Sequence, residues 1–311
     1  MSLTASVITP TRNRAAMVAR CLHYLSEQTL APDHYELLVV DDASTDDTRR
    51  VIESAVRTSR CAVRPFFLTE RKGVPGARNR AIREARGDVI VFVDSDNFAA
   101  PTFLAAHVGI HEAHAKAVGR GPVIVTRSIE DPFAVRGGLL DLTTAYFDTD
   151  NASVRREHLD QVGLFDEVFY PYGWEGLDLG FRLRVLGLRR VYRRDAVLYH
   201  YHEEVSPGSL DSLLRKEAER ARTAWLFYEK HPVLEARLAL QFTPFHLALN
   251  LVQRLFGLVG PGNVEAWVRR ADHAGMPAFG RLLLSGVLNA HYLARLLENG
   301  QMRHGSRAHG N

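Results

Sequence analysis

An apolar run, residues 87–93, ends in Asp94-Ser95-Asp96, two carboxylates separated by one residue. Side chains at i and i+2 of an extended chain point the same way, so a strand leading into Asp94 presents both acids to one hard cation. That pattern suits a divalent metal and, through it, a diphosphate. The competing explanation is two acids closing a surface turn. A second acidic pair, Asp41-Asp42, follows the apolar run 36–40 at a strand edge where a base or ribose can be read. The neighbouring Ser44, Thr45, Asp46 and Asp47 are explained by helix capping and the helix dipole alone.

These residues need a scaffold that gathers strand ends. The first hundred residues alternate strand-like runs (5–9, 36–40, 63–68, 89–93) with helical patterns carrying Val18, Leu22 and Leu25, then Val51, Ile52 and Ala55, then Ala77, Ala81 and Ala85. The rhythm predicts an α/β fold, a parallel sheet wrapped by helices with ligands beyond the carboxyl ends of the strands. After Pro101, His107, His111 and His114 share one helical face without a carboxylate, which predicts a half-exposed helix face and no metal site. From about residue 205 the pattern turns helical: 209–230, 234–258, 264–273 and 279–299. The expected organisation is a domain over 1–205, with halves 1–100 and 101–205, a helical subdomain over 206–300, and a polar, disordered tail over 301–311.

With 311 residues, 46% of them hydrophobic, the chain can bury one large core plus an appendage. A net charge of +3 is too small a bias to argue for nucleic acid. Cys21 and Cys61 lack any C-x-x-C or Cys/His spacing, so buried thiols in a reducing compartment are expected and zinc is disfavoured. No charged and apolar leader pattern precedes the first strand, which predicts a cytoplasmic protein. The apolar stretch 238–259 is broken by Gln241, Pro244, His246, Asn250, Gln253 and Arg254, too polar for a spanning helix. Trp225, Trp267, Arg254, Arg269 and Arg270 keep peripheral contact with the cytosolic membrane face open through the C-terminal helices.

Four motifs in order, Val7-Ile8-Thr9-Pro10-Thr11-Arg12-Asn13-Arg14, Val39-Val40-Asp41-Asp42-Ala43-Ser44-Thr45-Asp46, Gly76-Ala77-Arg78-Asn79-Arg80-Ala81-Ile82 and Val93-Asp94-Ser95-Asp96-Asn97, resemble the nucleotide-sugar half of family 2 glycosyltransferases with the GT-A fold. Asn151-Ala152-Ser153-Val154, Gly163-Leu164-Phe165-Asp166-Glu167 and the stretch 173–183 resemble the family's acceptor half. The resemblance implies a Rossmann-like central sheet sandwiched by helices. It implies a metal-dependent inverting transferase of hexosyl type, moving a sugar from a nucleotide donor, UDP-linked by preference, to a hydroxyl of a glycan or lipid-linked saccharide. By the same resemblance, Thr9 and Asp42, with Pro10, Arg12 and Asp41 beside them, hold the nucleoside, and Lys72 or Arg78 lies near the phosphates. Asp96 touches a manganese or magnesium ion, Asp94 the ribose or the ion, and His200, chosen over His202, completes the metal ligands.

An inverting transfer needs one ionised carboxylate within reach of the acceptor hydroxyl. The family commonly carries Glu-Asp at this place, and here the Asp is replaced by Gly176. Three accounts stay open: Glu175 is the base, Asp178 is the base with Glu175 on an acceptor hydroxyl, or donor binding persists with weak catalysis. Asp178 also fits a plain i, i+4 partnership with Arg182, and Trp174 is either core or a platform for a sugar ring. The rivals are a non-catalytic sugar-nucleotide or glycan-binding module and a sugar nucleotidyltransferase. The second lacks its glycine-rich loop, because Thr9-Pro10-Thr11-Arg12-Asn13 stands there.

Overall fold

A computed structural model describes residues 4–135, 146–202, 209–241 and 259–308. Four parallel strands come first: β1 (Ala5–Thr11), β2 (Tyr35–Asp41), β3 (Ala62–Phe67) and β4 (Val89–Phe92). Alternate residues of these strands enter two different cores. Val7, Leu37, Val39 and Val91 pack with Val18 and Leu22 of α1 (Ala15–Ser26) and Ile52 of α2 (Thr48–Thr58). Ile8, Leu38, Val40 and Phe92 pack with Ala77 and Ala81 of α3 (Gly73–Glu84). Burial on both faces is why these strands read as unbroken apolar runs.

The four strands of the first hundred residues are parallel, as their alternation with helices predicts, and the second half of the sheet is mixed. β8 (Ala152–Arg155) lies antiparallel to β4, β6 (Ala117–Arg120) antiparallel to β8, and β9 (Arg189–Tyr192) parallel to β6, giving the order β3-β2-β1-β4-β8-β6-β9. A three-stranded sheet joins β5 (Asn97–Ala99), β10 (Leu198–Tyr201) and β7 (Val123–Thr126). Because the chain leaves β1 through β2 and β3 and returns to β4 on its other side, a crevice opens at the carboxyl ends of β1 and β4. The antiparallel pairing of β10 with β5 sets His200 opposite Asn97, next in sequence to Asp96.

The three histidines are not a half-exposed face. On α4 (Phe103–Ala113), His107 and His111 are buried, while His114 lies past the helix end and is exposed. Ser153 Oγ of β8 stands 2.8 Å from both His107 Nδ1 and His111 Nε2, and His107 Nε2 stands 2.9 Å from Asn151 Oδ1. Sequence periodicity marked the shared face, but the polar strand that covers it comes from forty residues further along the chain.

The described residues form two compact units, one holding 4–135, 146–171 and 175–202, the other 172–174, 209–241 and 259–308. The second unit contains α7 (Ser209–Lys230), α8 (Leu234–Ala239), α9 (Val264–His273) and α10 (Pro277–Ala308). Its core includes Leu210, Val264, Val268, Leu284 and Val287. Trp174 belongs to this unit's interior: its ring stacks on Phe227 at 5.4 Å and its Nε1 donates to the Arg220 carbonyl at 2.9 Å. It is core, and no sugar platform. α10 continues to Ala308, so helix replaces most of the tail expected as disordered. Arg254 and the rest of 242–258 lie outside the described residues. Among the described residues, no helix is long and apolar enough to cross a membrane.

Burial pushes the His107 imidazole from its ordinary 6.5 down to about 4 and that of His111 to about 3. Both therefore fold neutral, and the unfolded chain binds more protons below pH 6.5. Their contribution to stability is complete above that pH and is lost as pH falls toward the folded values, by at most about 1.4 kcal/mol per pH unit for each ring. Urea unfolding at pH 7, 6 and 5 is expected to show this decline, shallower in His111→Asn than in the parent. Equal slopes would exclude the His111 term.

Candidate functional site

The loops after β1 and β2 are tied to each other before any ligand arrives. Asn13 takes φ 51°, its N–H donates to Ser44 Oγ at 2.9 Å, and its Oδ1 accepts from the Thr45 N–H at 2.8 Å. The Arg14 N–H donates to Thr48 Oγ1 at 3.0 Å. Asp41 Oδ1 accepts from the Ser44 N–H at 3.2 Å. Pro10 is buried at the end of β1, while Arg12 stands exposed in the turn after it. Thr9, named in the sequence for the nucleoside, is fully buried and alternates with Val7, so its hydroxyl faces the core under α1.

Asp42 has structural work. Its Oδ1 accepts from the Lys72 N–H at 2.6 Å and its Oδ2 from the Gly73 N–H at 3.0 Å, at the amino end of α3, where the helix dipole favours an anion. Gly73 is required there: its φ is +71°, and a Cβ would sit 2.7 Å from the Pro171 carbonyl oxygen. The Lys72 side chain is exposed and pairs with Glu70.

Asp94 and Asp96 are not consecutive same-face residues of a strand. β4 ends at Phe92, and the Asn97 N–H donates to the Asp94 carbonyl at 3.0 Å, so a turn separates the two carboxylates and gives them different partners. Asp94 Oδ1 accepts from Arg78 at 2.7 Å. Asp96 Oδ2 is paired with Arg14 and lies 3.7 Å from His200 Nε2, while His200 Nδ1 lies 3.5 Å from Asp150 Oδ2. His202 stacks edge-on against His200, on which the acids converge. Arg14 and Asp150 went unnoticed in the sequence, although Asp148-Thr149-Asp150 repeats the acid-x-acid spacing.

The electrostatics show acids that are unevenly served by the cations around them. Burial opposes the charged form of Asp96, yet the His200 hydrogen bond and Arg14 hold its carboxyl well below the usual range. Burial likewise opposes protonation of His200, but Asp96, Asp150 and Asp94 raise it to about 9. Asp150 goes the other way: burial first, then Asp94 and Asp148, push it well above the ordinary value. Among the described residues, no three His, Cys, Asp or Glu side chains stand close enough together to hold a metal ion as they are. The donor set nevertheless fits one in kind, since carboxylates and an imidazole suit a hard divalent ion.

Arg78 does not lie open toward a phosphate. Its side chain is 2% exposed, and besides Asp94 it reaches Glu175 Oε1 at 3.4 Å and lies over the Phe165 ring. Glu175, buried, opens α6 (Glu175–Val185). Asp178, one turn on, is fully buried, and its Oδ2 accepts from Arg182 Nε at 3.0 Å and Nη2 at 2.7 Å. Arg182 also donates to the Val162, Gly163 and Leu164 carbonyls, so Asp178, named in the sequence as a possible base, anchors a structural cation. Gly176 leaves room: a Cβ there would meet Thr149 Cγ2 at 3.6 Å, an ordinary contact.

With this geometry in view, known proteins supply the context. The family described as Glycosyl transferase family 2 matches residues 6–163. The uncharacterized glycosyltransferase YfnE of Bacillus subtilis is 28% identical over 272 residues, covering 68% of each chain. Validoxylamine A glucosyltransferase of Streptomyces hygroscopicus subsp. limoneus is 32% identical over 270 residues, 74% of this chain but 57% of the relative. Among solved structures, mannosyltransferase PcManGT from Pyrobaculum calidifontis, in complex with GDP-Man and Mn2+, superposes with a TM-score of 0.65 at 22% identity, over 96% of this chain and 87% of that one. S. aureus TarS 1-349 in complex with UDP gives 0.52 at 18% identity, over 96% and 92%. The fold is that of GT-A glycosyltransferases.

Because Asp42 caps α3 with both oxygens, Asp42→Ala is expected to lower stability by about 1–3 kcal/mol. Asp41→Ala, which loses one longer hydrogen bond, is expected to cost less. Thermal melts of the two variants check the order.

Proposed function

The chain belongs to glycosyl transferase family 2 and is a glycosyltransferase, and from that premise we propose a metal-dependent, inverting transfer of a sugar from a UDP-linked donor to a hydroxyl of a glycan or lipid-linked saccharide. The observation that carries this reading is the cluster of Asp94, Asp96, Asp150 and His200 at the crevice where the strand order reverses. The nucleoside lies against Pro10, Arg12 and Asp41, with the exposed Lys72 side chain, now paired with Glu70, on the side of the phosphates. Asp96, His200 and Asp94 would hold a manganese or magnesium ion, which when bound would supply positive charge to the departing diphosphate. Arg78 keeps the Asp94 carboxylate in place.

Glu175 takes the proton from the acceptor hydroxyl. It is the acid that faces the donor-side carboxylates through Arg78, whereas Asp178 is committed to Arg182. Gly176 favours a second reading, sugar-nucleotide binding without turnover, because the position where the family commonly carries an acid here has no side chain.

The test is release of nucleoside diphosphate from UDP-, GDP- and dTDP-sugars with manganese and varied acceptors. Glu175→Gln is expected to lose about 10²–10⁴ in turnover at temperatures where it stays folded, together with some thermal stability, because it strips Arg78 of a buried partner. Asp178→Asn is expected to lose stability, about 3–5 kcal/mol for breaking a buried pair. Full activity in Glu175→Gln removes it as the base. Gly176→Asp is expected to fold, given the space at its Cβ. A parent that binds donor without turnover, with activity appearing in Gly176→Asp, selects the binding-module reading.

A further inference from the structure

Two guanidinium groups face the acidic turn after β4, and they differ in one physical respect. Arg78 is 2% exposed, bridges Asp94 and Glu175, and lies over Phe165, so removing it from its seat strips a buried charge of its partners. Arg14 is 37% exposed and stands just before α1. Its main chain is held by the hydrogen bond from its N–H to Thr48 Oγ1, while its long side chain reaches out to Asp96. One cation is part of the frame, and the other can leave.

The oxygen that Arg14 occupies is the one a metal ion would need. Arg14 Nη1 pairs with Asp96 Oδ2, and that same oxygen is the one nearest His200 Nε2, at 3.7 Å. A guanidinium and a divalent ion compete for the same carboxylate lone pairs, and two cations do not share them without repulsion. We propose that Arg14 is a built-in counter-ion of Asp96 which a divalent cation must displace, so that Arg14 sets the metal affinity of the nucleotide-free protein. The inference rests on the metal-dependent reading of the site. In the metal-free protein the pair keeps the Asp96 carboxylate beside His200, and it opposes capture of an ion before the donor brings its own phosphates.

Manganese titration of the full chain by calorimetry, without nucleotide, tests this without reference to turnover. Arg14→Gln and Arg14→Ala, which remove the competing charge, are expected to bind manganese about tenfold more tightly than the parent. Arg14→Lys, which keeps the charge, is expected to stay near the parent. Thermal melts identify any variant that fails to fold, and the two neutral substitutions back each other up. Neutral variants that bind manganese no better than a binding-competent parent overturn the role of Arg14. A parent that binds no manganese even with UDP or GDP present overturns the metal-dependent reading itself, and the inference with it.

Discussion

A guanidinium sealed from water is the constraint on which this enzyme's site depends. Burying an unpaired charge costs several kcal/mol, so Arg78 of α3 is tolerable only while Asp94 and Glu175 both face it. Those partners come from the turn after β4 and the start of α6. One buried charge therefore fixes the donor-side acid, the candidate base and the helix between them. Asn79, next to Arg78, donates to the Phe165 carbonyl and accepts from the Phe165 N–H, each at 2.9 Å, which holds the ring against the guanidinium. At the other end of α3, Asp42 satisfies the first backbone N–H groups. The helix is thus pinned at its start by an acid and in its middle by a cation.

Around that frame the crevice accumulates acids. Asp94, Asp96, Asp148 and Asp150 come together from two turns, and the cations available are Arg78, Arg14, His200 and Arg120, which reaches Asp148 Oδ2 at 3.5 Å. The opposite shifts of Asp96 and Asp150 show how unevenly these cations serve the acids: Asp96 has both Arg14 and His200 beside it, whereas half-buried Asp150 has His200 against the carboxylates of Asp94, Asp148 and Asp96.

Residue type alone does not separate chemistry from support here. His107 and His111 are neutral struts on Ser153 and Asn151, while His200 is a charged hinge between two acids. Asp178 and Glu175 share a helix end, yet one anchors Arg182 and the other faces Arg78. Each difference is decided by what comes from elsewhere in the chain to meet the side chain.

Much was legible in the order of residues. Unbroken apolar runs in β1, β2 and β4 require strands buried on both faces, and the helical periodicity between them requires a crossover, so the α/β sheet and the location of the site at its strand ends follow from local pattern. The acid pairs at 41–42 and 94–96 and the histidine at 200 were visible because they interrupt or end those runs. What was not legible depends on distance along the chain. The pairing of Arg14 with Asp96, the bridge from Arg78 to Glu175, the approach of Asp150 to His200, and the burial of Thr9 and Trp174 join residues far apart in sequence or turn on which face is covered. Ion pairs and burial are set by proximity in space, which periodicity does not encode; only the closed sheet brought those partners within reach.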